Sequence, residues 1–191
     1  MRFINISDHP VKDASVQPNA LEMLLGCHAR IRHFMQLSRT LAHAEFAPSG
    51  EIAETAESIF RYFSRALPLH EADENETLFP RLQAAVAEGS LVREAAETMV
   101  EQHKAIDELV VDLLSLCDSL SQHPEALPSL ERRIEDVTFA LDQIFDAHLK
   151  LEETVIFPAA VGLLTSEQLE EMTREMQARR QPPAHKIHLV N

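Results

Sequence analysis

Tryptophan is absent from this 191-residue chain, tyrosine occurs once, cysteine twice and glycine four times. Two cysteines, Cys27 and Cys117, are too few for a disulfide framework and lack the spacing of a zinc or redox motif, so they read as reduced thiols. Four glycines and 10 prolines leave little material for the many turns of a β-sandwich or barrel, which favours long helices. No apolar run approaches the ~20 residues that cross a bilayer, and the N-terminal stretch MRFINISDHPVKDASVQPN has no apolar core of signal-peptide length. The expected compartment is the cytoplasm. Positive charge is also short: 17 Lys and Arg stand against 31 Asp and Glu, a formal net charge of −14. Such a surface repels phosphate backbones and anionic lipid, so neither nucleic acid nor membrane is expected as a partner. What the chain has in excess is histidine, 10 residues in all, set among many carboxylates.

Apolar residues recur at helical spacing in four long runs. Residues 1–18 read as an irregular lead-in. Asn19 is the expected N-cap of the first helix, which carries Leu24, His28, Ile31, Met35 and Leu41 and stops at Pro48-Ser49-Gly50. The second starts near Glu51, and its pattern resumes beyond Pro68 with Leu69, His70, Glu74 and Leu78, so Pro68 is expected to kink one helix rather than separate two. Gly89-Ser90 gives a stop and a new cap for a third helix over 90–121. Pro128-Ser129 opens a fourth that runs to about Val161. Thr165 and Gln168 form a capping box for a last short helix over 165–180, and 181–191 reads as a flexible tail. The expected fold is all-α: an up-down-up-down four-helix bundle over 19–164 with a short extra C-terminal helix.

One histidine in each long run stands out: His28, His70, His103 and His148. HEADENETLFP begins at His70 and HLKLEETVIFP begins 78 residues later at His148. In both, Glu follows at the fourth position (Glu74, Glu152), Phe at the ninth and Pro at the tenth. His28 and His103 are each followed three residues on by Ile, so the chain reads as a repeat of two helical hairpins. Residues at i and i+4 share a helix face, which sends each His–Glu pair to one side. Burying four imidazoles and two carboxylates without partners costs several kcal/mol apiece, on the order quoted for unpaired polar groups. A shared metal centre removes that conflict, and nitrogen with carboxylate oxygen and no thiolate suits iron or manganese, with zinc possible. Ferritin-like sites use Glu-x-x-His, which fits poorly here.

The order His28, His70-x-x-x-Glu74, His103, His148-x-x-x-Glu152, with the LFP and IFP endings, resembles the hemerythrin family, in particular its HHE cation-binding branch. The resemblance implies a four-helix bundle holding two non-haem irons with an oxo or hydroxo bridge. In it the four His are terminal ligands and Glu74 and Glu152 bridge. Manganese or zinc are the implied substitutes. Two departures matter. Oxygen carriers have His-x-x-x-His on the third helix, where this chain has Asp107. Their fourth-helix carboxylate is a more distant Asp, where this chain has Glu152. Glu71 matches the HExxE arrangement of an iron-sensing F-box protein, which leaves it as a further ligand or a solvated charge. Proteins that repair iron–sulfur centres have Glu before the third-helix His, and here that residue is Gln102. Two six-coordinate irons filled this way keep roughly two open positions, or one if Glu71 binds. That is room for oxygen, nitric oxide or peroxide.

The implied function is oxygen, iron or redox sensing or handling. The alternative is a di-iron oxidoreductase or an iron-donating factor. Asp107 is expected to face the core, as a ligand through water or an acceptor for an imidazole N–H. His9, His33, His43 and His123 read as surface residues, His185 and His188 as part of the tail. The phenylalanines at positions 34, 60, 63, 79, 145 and 157 read as core, some walling the metals from solvent.

Overall fold

The computed structural model describes residues 18–181. The lead-in up to residue 17 and the tail from 182, with His9, His185 and His188, lie outside the described residues. Asn19 caps the first helix, α1 (Ala20–Ala42), reciprocally: Glu22 N–H donates to Asn19 Oδ1 at 3.0 Å, and Asn19 N–H donates to the Glu22 carboxylate at 3.1 Å. The helix ends at Ala42, short of the expected stop at Pro48. His43 leaves the helical region, and the one large apolar residue of the next turn, Phe46, is 92% exposed, so a longer helix would gain little burial. The second helix, α2 (Ser49–Arg65), continues through Ala66, still right-handed helical at φ −93° and ψ −40°, into α3 (Leu67–Ala72). Pro68 therefore kinks one continuous arm.

That arm then widens into a π-helical turn, Asp73–Leu78, before α4 (Phe79–Ala85). The fourth arm repeats the device: α6 (Leu127–Leu151) passes into a π turn, Glu152–Ile156, and then α7 (Phe157–Leu163). Regular α geometry was the expectation at both motifs. The prolines explain the difference. Pro80 and Pro158 have no N–H to donate and their rings collide with the carbonyl four residues back. In the wider turn the preceding N–H, of Phe79 or Phe157, reaches five residues back to the carbonyl of Glu74 or Glu152. Between the arms, Gly89 adopts φ +72°, and Ser90 caps α5 (Leu91–Gln122). Thr165 and Gln168 form the expected capping box of α8 (Ser166–Arg179).

Five helical stretches result, 20–42, 49–85, 91–122, 127–163 and 166–179, with no strand among the described residues. Contacts run in opposite order along neighbours. Phe34 stacks on Tyr62 while His28 meets His70, and Arg39 pairs with Asp142 while His28 meets Glu153. One apolar cluster, containing Ile31, Phe63, Ile106, Leu141 and Phe145, fills the far end. A second, containing Leu24, Leu78, Ala96, Ile156 and Met176, fills the near end. The conspicuous histidines and glutamates fall in sequence between them on every arm.

The near end is closed by α8, whose Met172 and Met176 are fully buried. Its last turn grips the first π turn: Arg179 donates to Asp73 at 2.7 Å and to Thr77 Oγ1 at 2.7 Å, and Arg180 donates to Asp73 at 2.5 Å. Asp73 has no exposed surface. Removing both guanidiniums strands a buried charge, so Arg179→Ala/Arg180→Ala is expected to lower stability to urea by about 3 kcal/mol. A loss below ~1 kcal/mol, the range of surface pairs, would mean that Asp73 finds solvent instead.

Candidate metal centre

Six side chains meet in the layer between the two apolar clusters: His28 from α1, His70 from α3, Glu74 from the first π turn, His103 from α5, His148 from α6 and Glu152 from the second π turn. None is more than 4% exposed. They form two overlapping groups, His28–His70–Glu74–Glu152 and Glu74–His103–His148–Glu152, in each of which one donor atom per residue lies within 4.8 Å of the others. Each carboxylate spans both groups. Glu152 places Oε2 2.8 Å from His28 Nε2 and Oε1 3.1 Å from His148 Nε2. Glu74 places Oε1 3.3 Å from His70 Nε2 and Oε2 3.1 Å from His103 Nε2.

Closeness does not amount to satisfaction here. His28 Nε2, both ring nitrogens of His70, Glu74 Oε1 and both oxygens of Glu152 are buried without a hydrogen-bond partner. Buried polar atoms without hydrogen-bond partners crowd the layer, an arrangement that natural interiors avoid unless something electropositive sits between.

Three of the outer ring nitrogens are held. His28 Nδ1 pairs at 2.8 Å with Glu153, which Arg32 pins at 2.9 Å. His148 Nδ1 pairs with Gln102 Oε1 at 3.0 Å, and His103 Nδ1 with Asn75 Oδ1 at 3.2 Å. With Nδ1–H donating outward, each Nε2 presents its lone pair inward, the orientation a metal ligand needs. Sequence reasoning missed all three partners. Gln102 and Glu153 adjoin motif residues, but each serves a histidine on another arm, which spacing along one helix does not reveal. Phe157 stacks on His28 with ring centres 5.2 Å apart, the apolar wall expected of a phenylalanine here.

Asp107 is a correction. It is exposed, because Ile106 and Val110 take the inward positions of that turn, and among the described residues no imidazole is paired with it. Its carboxyl instead meets that of Glu71. Glu71 itself lies outside both groups. Burial, then the charge of Asp107 and a hydrogen bond with it, push the Glu71 carboxyl up to about 8. A folded value above the unfolded one, ordinarily near 4.5, gives stability that is complete below 4.5 and is lost as pH rises through 8. Glu71→Gln is therefore expected to match the native chain at pH 4 and to exceed it by on the order of 2 kcal/mol at pH 9. Equal urea midpoints at the two pH values would contradict the pairing.

His70 and His103 stay neutral over the working range. Burial pushes His70 down to about 3, against the opposing pull of Glu152, and burial with the neighbouring His148 pushes His103 down to about 4. Burial and the charge of Glu152 hold the Glu74 carboxyl well above the usual range. Burial also pushes Glu152 up, but its contacts with His148 and His28 outweigh this and hold it below. The layer thus offers the neutral imidazoles of His70 and His103 and negative charge centred on one carboxylate.

The model of the hemerythrin HHE cation-binding domain matches residues 19–160, and matches again over 94–181. The chain belongs to the hemerythrin HHE family. The second match begins in α5, where the sequence repeat places the start of the second hairpin. An uncharacterised protein of Haemophilus influenzae is similar, 30% identical over 165 residues that make up 84% of this chain and 90% of that one. Hemerythrin-family membership and the buried His/Glu groups together make this a metal-binding helical protein. Among the described residues no helix is long and apolar enough to cross a membrane.

Proposed function

We propose that this hemerythrin-family chain is an up-down-up-down four-helix bundle, closed by α8, that holds two iron ions and senses or handles oxygen, iron or redox state. The observation that carries the reading is the pair of spanning carboxylates. Glu74 and Glu152 each direct one oxygen to a histidine of one group and the other oxygen to a histidine of the second. The orphaned inward atoms fit two cations and fit nothing apolar. His28 and His70 would serve one ion, His103 and His148 the other, with both glutamates shared. Manganese or zinc could substitute on the same donors. Glu71, paired with Asp107, is not assigned to the metal.

When bound, such a pair of irons supplies one- and two-electron chemistry toward oxygen, nitric oxide or peroxide. The chain's own residues do the rest. Glu153, Gln102 and Asn75 fix the imidazole orientations. Phe157 and the two apolar clusters exclude water. Arg32 and Glu153, with side chains 54% and 31% exposed, form the solvent-facing edge. Arg32 borders a cleft of about 390 Å³ between α1 and α6, lined also by Ile31, Met35, Phe145 and Leu149, one turn beyond His28 and a natural approach for a small molecule. Gln102, which accepts from His148, holds a ligand in place rather than adding one. Two buried free thiols, Cys27 and Cys117, support a cytoplasmic setting.

Metal analysis and an absorption spectrum, with and without oxygen, test the proposal on protein purified aerobically without chelator. About two irons per chain and an oxygen-sensitive spectrum are expected; less than one iron per chain would overturn it. Turnover of peroxide or nitric oxide above that of a His70→Ala/His148→Ala variant would make the centre an enzyme's. Unfolding that responds to oxygen without turnover would make it a sensor's.

A further inference from the structure

His43, which caps the C-terminus of α1, faces two glutamates one turn apart on α6, Glu131 and Glu135. Their donor atoms lie within 4.8 Å of one another. His43 Nδ1 is 3.5 Å from Glu135 Oε1 and 3.8 Å from Glu131 Oε1. Those distances are long for a direct ion pair; the exposed Lys104–Glu101 pair closes to 2.7 Å. They are close to the edge of a tetrahedron around zinc, since ligands at about 2.0–2.2 Å from the ion sit about 3.3–3.6 Å apart. Neither glutamate has a lysine or arginine partner among the described residues, although Arg132 and Arg133 follow Glu131 directly. Arg132 turns to Asp136 and Arg133 to Asp112. Arg39, which shares the adjoining hollow of about 210 Å³ with His43 and Glu135, is held by Asp142 and Gln36. The negative end of the α1 dipole adds to the uncompensated charge.

We propose that His43, Glu131 and Glu135 form a second, surface metal site that takes zinc in preference to calcium. One imidazole with two carboxylates is a borderline donor set that favours zinc over calcium, and three protein ligands leave room for water in the fourth position. The site is independent of the buried centre: His43 lies 15 residues beyond His28, about 22 Å along the helix. Occupied, it ties the end of α1 to the beginning of α6, at the end of the bundle farthest from α8. With side chains 39–63% exposed, it binds more weakly than the buried layer.

Zinc chloride is titrated calorimetrically into the His70→Ala/His148→Ala variant, with folding checked by circular dichroism; these substitutions weaken the buried centre, so that the effect of His43→Ala in the same background reports this site. One equivalent is expected, at least tenfold weaker once His43→Ala is added and unchanged by His185→Ala/His188→Ala. In the otherwise native chain, Glu131→Gln/Glu135→Gln is expected to remove one zinc equivalent and the accompanying rise in Tm. Loss of the equivalent on changing the tail histidines but not His43 would overturn the proposal. So would competition by equimolar calcium, or no zinc difference between native chain and glutamine variant.

Discussion

Replacing Glu74 and Glu152 together by glutamine is expected to abolish metal binding, and replacing Glu74 alone to make the metal-free protein more stable near neutral pH. Each glutamate sends one oxygen toward each half of the site, so losing both carboxylates removes the shared anchors of both ions. Without metal, Glu74 Oε1 is buried and unsatisfied, and burial beside the Glu152 charge makes the Glu74 carboxyl take up a proton on folding. Glutamine needs no proton, and its amide N–H can donate to imidazole nitrogens that otherwise lack a donor. A gain of about 1–3 kcal/mol in the metal-free Glu74→Gln chain follows, the range seen when buried ionisable groups give way to neutral ones. Glu152 is left out of this gain, because its contacts with His148 and His28 favour its charged form. Metal analysis and urea unfolding with and without chelator check this. A double variant that keeps metal, or a metal-free Glu74→Gln chain that unfolds more easily than the native one, would contradict it.

The metal-free protein is also expected to be most stable between about pH 4.5 and 6.5, and to lose stability on both sides. His70 and His103 have folded values of about 3 and 4 against 6.5 when unfolded. Their contribution is therefore complete above 6.5 and is lost as pH falls toward those values. Glu71 and Glu74 work in the opposite sense. Raised above 4.5, they contribute most below it and lose that contribution as pH rises, Glu71 through about 8. Between 4.5 and 6.5 the slopes of the histidines and of the glutamates oppose one another. Below 4.5 the glutamates are spent, while the two histidines and the depressed Glu152 all pull the same way. At 1.36 kcal/mol per pH unit per group, roughly 4–5 kcal/mol is lost by pH 3, a large share of a typical domain's stability. Bound metal needs deprotonated ligands, so loading moves the optimum upward. Urea unfolding in chelator from pH 3 to 9 tests the curve, and stability that climbs steadily from pH 5 to 8 would contradict it.

The six inward residues were legible because chemistry and period coincided: one histidine per apolar stripe, and a His–Glu pair repeated 78 residues apart. Asn19, Thr165 and Gly89 marked their boundaries through local backbone needs that a few neighbours settle. Pro80 and Pro158 were visible as a repeat, but their consequence was not, because periodicity assumes a uniform turn and a proline after a bulky residue can be accommodated by kinking or by widening. Asp107 shows the limit of face arithmetic. One turn beyond an inward histidine is inward only if no better apolar residue competes, and Ile106 and Val110 do. Asn75, Gln102 and Glu153 were hidden for another reason: each acts across to another arm, and such pairings depend on how helices are rotated against one another. The tie between Asp73 and the last turn of α8 spans more than 100 residues and has no local signature.

The polar layer between the two apolar clusters divides the bundle into blocks that share backbone but little oil. Emptied, that layer is the plane along which cooperativity should break. Amides around Leu24, Ala96 and Ile156 would then exchange with solvent on a schedule of their own, separate from those around Phe63, Leu113 and Leu141. Filled, it becomes a weld, and hydrogen exchange should report one opening energy on both sides. The ions would thus set how many folding units the chain has.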